Sequence, residues 1–268
     1  MRLYRGRPST IETDRAASTR LLEVAAAGDP AARVWVPHRQ VAFGRRDAGT
    51  DGYSRALEAA RARGFPAVER AVGGRAVAYD GETTIAFARA EPVTDFRRGI
   101  DDRYERTTAA IERALGDVGL EARRGEPDGA FCPGSHSLSI AAPSGGGDGN
   151  SRSAKVVGIA QRVRQQAAVT AGIVIVDGGN ELVGVLEDVY GALGLAFDPD
   201  AVGALADAGI DVEPETVRAA LETALAGDDE PEPRPIAELV DGEPGDVSRV
   251  SDTDDGPSVP DDSGGGSW

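Results

Sequence analysis

The chain has 268 residues, enough for one large domain or two small ones, and its 45 acidic residues against 29 basic ones give a formal net charge of −16. One cysteine, Cys132, excludes an internal disulfide and a multi-cysteine zinc site, and two histidines, His38 and His136, exclude a histidine-rich metal centre. No segment gathers Arg and Lys into the phosphate-binding face that a nucleic-acid partner requires. A dense carboxylate surface stays hydrated where salt screens its self-repulsion, so the composition predicts a halophilic setting and a fold that weakens at low salt. Residues 1–14 hold no apolar core of signal-peptide length and no run approaches a membrane span. The expectation is a cytoplasmic protein with no membrane partner.

Ser9 with Glu12 three residues on is a capping-box pattern, opening a predicted helix that runs to about Ala27 and stops at Gly28. Residues 33–37 and 40–44 predict short strands around a corner at His38, for which a structural or surface role is expected. A helix is predicted over Tyr53–Arg63, then strands over 66–70, 75–79 and 83–88, the first two joined by AVGG and the last two by DGE. Tyr104, Thr108, Ile111 and Leu115 mark the face of a helix beginning at Ile100. Strands follow at 136–140 and 154–163, with the Gly/Ser-rich stretch 142–153 read as a flexible loop between them. The most apolar strand, 167–176, is expected at the centre of the sheet. Helical segments are predicted near 181–193, 201–208 and 214–226. From Gly227 onward the chain is acidic, rich in Pro and Gly and short of large apolar residues, which predicts a disordered tail over 227–268 behind a domain of residues 1–226. The fold class expected is α+β, a mixed sheet packed with irregularly interleaved helices.

Three places could carry chemistry. In RAVGGRAVAYDG (70–81) the paired glycines Gly73 and Gly74 admit positive φ and close approach of a ligand, bracketed by Arg70 and Arg75, which can pair with a carboxylate or phosphate. A plain Gly-Gly hairpin with surface arginines fits the same residues; a P-loop does not, because no GK[ST] follows. Cys132 sits in DGAFCPGSHSLSI, where Pro133 and Gly134 put it in a turn. It reads either as a small buried hydrophobe or as a nucleophile, with His136 close enough in sequence to orient the thiol or simply to begin a strand. Lys155 is the single lysine in a chain that otherwise uses Arg. Either it survives by chance, or a compact ammonium does something there that a flat guanidinium cannot.

In order and approximate spacing, these segments resemble the biotin/lipoate protein ligase superfamily. RAVGGRAVAYDG is similar to its R-[R]-x-x-G-G-x-A-V signature, AKVVGIAQRVRQQAAVTAGIVIV (154–176) to its K-[IV]-x-G-x-[AS]-Q block, and FCPGSHSLSI (131–140) to the cysteine segment of the octanoyltransferase branch. Val72 stands where that family often has a small polar residue. The likeness covers roughly residues 2–190 and implies a mixed sheet with an acyl tunnel under the Gly-Gly loop. It further implies that Arg70, Gly73, Gly74 and Ala76 border the acyl site, that Lys155 meets the acyl carbonyl with Gly158 and Ala160 beside the chain, and that Cys132 carries the acyl group as a thioester. The partners implied are lipoyl-domain proteins: the glycine-cleavage H protein and the E2 subunit of 2-oxoacid dehydrogenases. A transferase of this kind moves octanoate or lipoate without a cofactor. A lipoate ligase would instead use ATP and Mg2+, sometimes with a separate accessory subunit, and would not need the thiol. A non-catalytic lipoate-binding relative is the third possibility.

Overall fold

The computed structural model describes residues 1–70, 74–143 and 151–241. Its first half contains β1 (Arg2–Arg5), α1 (Ile11–Ala26), β2 (Ala31–Trp35), β3 (Gln40–Phe43), a single-turn α2 (Arg45–Ala48), α3 (Tyr53–Ala62), β4 (Ala67–Glu69), β5 (Val77–Tyr79), β6 (Thr84–Pro92), α4 (Ile100–Asp117) and β7 (Arg123–Arg124). The second half contains β8 (Ser137–Pro143), β9 (Ser151–Val163), β10 (Ala167–Ile175), α5 (Gly179–Leu193), two 3-10 turns (Pro199–Ala201 and Leu205–Ala208), α6 (Pro214–Ala226), β11 (Glu232–Pro235) and α7 (Ile236–Asp241). Eight strands form one mixed sheet in the order β11-β1-β2-β6-β10-β9-β8-β7, and β4-β3-β5 form a small second sheet. The fold class is therefore α+β, as expected, and the apolar strand β10 does lie at the centre of the large sheet.

Helix α1 shows how local chemistry sets the frame. Thr10, rather than Ser9, caps it, its side chain accepting from Thr13 N at 3.1 Å, and Glu12 and Asp14 in the first turn favour the positive end of the helix dipole. Ala17, Leu21, Leu22 and Ala25 recur at helical spacing and bury one face against β2 and β6. α4 and α6 bury their apolar stripes on a second core under Ile85, Phe87 and Val174. α3 and α5 close a third core over the small sheet, around Phe43, Phe65 and Ile173. The site lies where α1, the small sheet and the middle of the large sheet meet.

The expected disordered tail is corrected at its beginning. Glu232–Pro235 pairs in parallel with β1, and α7 buries Leu239 against α1, with Arg20 donating to the Leu239 carbonyl at 2.8 Å. An open sheet edge supplied main-chain partners that composition does not reveal, and the two prolines are tolerated because β11 is itself an edge strand. Residues 242–268 lie outside the described residues, as do 144–150 of the Gly/Ser-rich stretch. Among the described residues no helix is long and apolar enough to cross a membrane.

Candidate active site

Cys132 lies in the connection between β7 and β8 with φ +42°, the one non-glycine among the described residues in the left-handed region. Such a conformation costs about 1–3 kcal/mol and survives only where the surroundings over-determine it. They do so here from both sides of the residue. Its N–H donates to Tyr190 Oη at 2.6 Å, and its carbonyl accepts from Lys155 Nζ at 3.1 Å. Tyr190, delivered by α5, passes its own proton to the Ala76 carbonyl at 3.1 Å. Burial pushes the Tyr190 hydroxyl well above the ordinary phenol range, so it stays neutral and keeps both roles.

The sulfur faces a guanidinium and an amide. Arg70 Nη2 lies 3.2 Å from Cys132 Sγ and donates to the Arg75 carbonyl at 2.6 Å, while Arg75 N lies 3.4 Å from the same sulfur. Burial works against the charge on Arg70, but the adjacent sulfur and Tyr79 more than offset it. Gly74 closes this corner with φ +92°. A Cβ there would stand 2.8 Å from Arg70 Nη2 and 2.9 Å from Cys132 Sγ, so only glycine lets the guanidinium and thiol meet. Arg75 is braced in turn by Asp47 Oδ1 at 3.3 Å, and Asp47 Oδ2 caps the Gly44 N–H at 2.9 Å.

Lys155 is 1% exposed and all three of its protons have acceptors: Phe131 O at 2.9 Å, Cys132 O at 3.1 Å and Glu126 Oε2 at 3.3 Å. Its ammonium also sits 4.8 Å from the centre of the Phe131 ring. Burial pushes its pKa down, with Glu126 and Cys132 acting in the opposite direction. A strand alternates faces, so Lys155 and Gly158 should point to opposite sides of β9. They do not, because the ladder with β8 skips a residue: Leu138 pairs with Val157 and Ser139 with Lys155, leaving Val156 as a bulge. That extra residue reverses the parity and brings Lys155, Gly158 and Ala160 to one face.

On that face lies a cavity of about 400 Å³. Its floor is made of small side chains from three adjacent strands, Ala86 and Ala88 of β6, Gly158 and Ala160 of β9, and Ala171 of β10, while Leu22 and Thr19 of α1 and Tyr79 and Val77 of β5 form walls. Cys132, Lys155 and Arg70 line the same cavity. A mostly apolar cavity that also has a thiol and a cation in its lining can hold an alkyl chain with its carbonyl at the sulfur.

Of the residues singled out from sequence, Arg70, Gly74, Cys132, Lys155, Gly158 and Ala160 therefore converge on one site. Ala76 is buried beside it and contributes its carbonyl to Tyr190. Gly73, with Val72, lies outside the described residues. His136 stacks on the Tyr104 ring at 3.8 Å with an interplanar angle of 8°, which is the strand-edge reading and not that of a partner for the thiol. His38 Nε2 bonds the Pro8 carbonyl at 2.7 Å, a structural role. Sequence reasoning missed Glu126 and Tyr190: one is an ordinary acid in an acidic chain, the other an apolar-face residue of an amphipathic helix.

Comparisons with known proteins give the chain a family. The family model "Lipoyl protein ligase A/B catalytic domain" matches residues 12–226. An octanoyl-[GcvH]:protein N-octanoyltransferase of Exiguobacterium sibiricum is 33% identical over 166 residues, 60% of this chain and 55% of that protein. Its namesake from Anoxybacillus flavithermus is 31% identical over 164 residues, 60% of this chain and 54% of the other, so the match spans about half the length of these relatives. In fold, the chain resembles a lipoate-protein ligase A bound with ATP (TM-score 0.67, 20% identity, 90% of each chain). It also resembles a bi-partite lipoate protein ligase from Thermoplasma acidophilum, described with its E2 lipoyl domain (TM-score 0.64, 19% identity, 90% of this chain and 88% of that one). The chain belongs to the lipoyl protein ligase A/B catalytic-domain family.

Proposed function

We propose that the chain transfers an octanoyl or lipoyl group between lysines of lipoyl-domain proteins, such as the glycine-cleavage H protein and a dehydrogenase E2 subunit, through a thioester on Cys132. The observation that carries this reading is the sulfur itself: it stands in the wall of an apolar cavity, 3.2 Å from a guanidinium and 3.4 Å from a main-chain N–H. In the first step the sulfur attacks the amide carbonyl of an acylated lysine; the C–N bond breaks, and the thiol proton leaves with the departing amine. In the second, the amine of the acceptor lysine attacks the thioester; the C–S bond breaks, and the sulfur recovers a proton from that amine. Negative charge on the carbonyl oxygen in both steps finds the Arg75 N–H, and a Lys155 proton that turns from a main-chain carbonyl. Arg70 holds charge on the sulfur, and Gly158 and Ala160 leave room for the chain. The work takes place in a salt-rich cytoplasm and needs no nucleotide.

The test is intact mass of wild type and Cys132→Ala in high salt, with an octanoylated H protein alone and then with lipoate, ATP and Mg2+. An acyl adduct on wild type only, formed without ATP, supports the transferase. ATP-dependent lipoylation of an acceptor by both proteins, with no adduct, would replace it with a ligase in which Cys132 is structural.

A further inference from the structure

Glu126 has no part in the steps above, yet the site converges on it. It lies in the connection between β7 and β8, and its Oε2 accepts from Ser137 Oγ at 2.7 Å, Gly134 N at 2.8 Å and Lys155 Nζ at 3.3 Å. Gly134 and Ser137 sit just past Cys132, so one carboxylate oxygen fastens the far side of the cysteine turn and the lysine together. The other oxygen, Oε1, is buried without a partner. Leaving a carboxylate oxygen dry and unfilled is unfavourable, and the Lys155 ammonium on the other oxygen is the opposite charge that offsets it. The charge, and not only the hydrogen bonds, therefore has a use.

We propose that Glu126 is a positioning residue that ties the Cys132 turn to Lys155 and supplies the counter-charge that keeps Lys155 an ammonium within the site. It rests on the acyl-transfer reading, in which that ammonium meets the carbonyl oxygen. The charged and titratable groups facing Lys155 are Glu126 and Cys132; Arg70, Tyr79 and Tyr190 surround the thiol. Burial alone drives Lys155 toward the neutral amine, and Glu126 is the largest influence opposing it.

The full chain made with [15N]lysine gives a single side-chain signal, because Lys155 is the only lysine. Its titration is followed in wild type, Glu126→Gln and Glu126→Ala, alongside octanoyl transfer from an octanoylated H protein. Gln keeps the size and one acceptor oxygen but not the charge. The Lys155 midpoint should fall in both variants. In Glu126→Gln, kcat should drop about tenfold with KM unchanged and the fall-off of rate on the alkaline side should move to lower pH. An unshifted Lys155 titration with full activity in Glu126→Gln overturns the proposal and leaves Glu126 a mere hydrogen-bond anchor. A wild type that forms no adduct on Cys132 defeats the transfer reading, while the lysine titration still decides the part played by Glu126.

Discussion

Two of the buried cations, Arg33 and Lys155, are held in opposite ways. Arg33 is 0% exposed, and its guanidinium is matched by a dedicated carboxylate, Asp14, whose other oxygen takes the Trp35 indole N–H at 3.1 Å. The same guanidinium donates to the Gly6 carbonyl at 3.0 Å and lies 4.0 Å over the Trp35 ring. Lys155 is just as dry, but two of its three acceptors are main-chain carbonyls of the cysteine turn, and its carboxylate partner is shared with Gly134 and Ser137. The first arrangement gives a cation a carboxylate that no other cation shares and fixes α1 to β2, with Arg33 Nε alone left without a partner. The second leaves a cation whose partners can be exchanged, which suits a group that must turn toward a substrate oxygen. Both are buried ion pairs; only in the second does the carboxylate also anchor the turn that carries the thiol.

The comparison breaks most sharply at Asp14. Asp14→Ala strands a buried guanidinium, and denaturant unfolding in high salt should show a loss of about 3–5 kcal/mol. A loss under 1 kcal/mol would mean that Arg33 finds water or another acceptor. Lys155→Met should cost less stability, about 1–3 kcal/mol for the Phe131 and Cys132 carbonyls it leaves unpartnered, but lower acyl transfer by about a hundredfold to a thousandfold. If its stability cost equals that of Asp14→Ala, Lys155 is structural and the contrast fails. Gly74→Ala tests the corner between the two groups that face the sulfur. Strain at φ +92° and a Cβ 2.9 Å from Sγ should cost about 1–3 kcal/mol and slow iodoacetamide alkylation of Cys132. A comparable loss of stability is expected from Tyr190→Phe, which leaves the Cys132 N–H and the Ala76 carbonyl without their partner; a cost of about 1–3 kcal/mol should appear in thermal unfolding.

How much of this is legible in the sequence depends on whether the information is local. Most helices, the longer strands and the central place of β10 follow from periodicity within a few residues, whereas β1, α2 and β7 do not, and the paired ends of β8 and β9 reach into the stretch expected as a flexible loop. Cys132, Lys155 and the glycines stand out by rarity or by turn chemistry. The bulge at Val156 is different, because it exists only in the pairing of β9 with β8, and without it Lys155 would face away from Gly158 and Ala160. Glu126 and Tyr190 are invisible for a related reason: their roles come from contacts with a turn that is distant from Tyr190 in sequence and, for Glu126, from Lys155 29 positions away. β11 was hidden because its stability belongs to the edge of β1, whereas its own composition reads as tail.

A buried carboxylate sharpens the contrast by being held through hydrogen bonds from its own turn. Asp80, in the turn between β5 and β6, accepts through Oδ1 from the N–H groups of Glu82, Thr83 and Thr84, each at 2.9 Å, and through Oδ2 from the Thr83 hydroxyl. Burial pushes its carboxyl up, but these hydrogen bonds together outweigh burial and hold it below the ordinary range. A carboxyl depressed in the folded state stabilises the fold above its unfolded pKa of about 3.9, and that contribution is lost as pH falls through the folded value. Wild type should therefore exceed Asp80→Ala in stability by a constant margin of about 1–3 kcal/mol above about pH 5, and the margin should narrow as the pH falls below about 4. Urea unfolding of the two proteins across that range checks it. A margin that stays level down to the acid limit would mean that Asp80 acts by shaping the turn and not by its charge, so that main-chain N–H groups, unlike Asp14 toward Arg33, hold the geometry of a buried ion without depending on its ionisation.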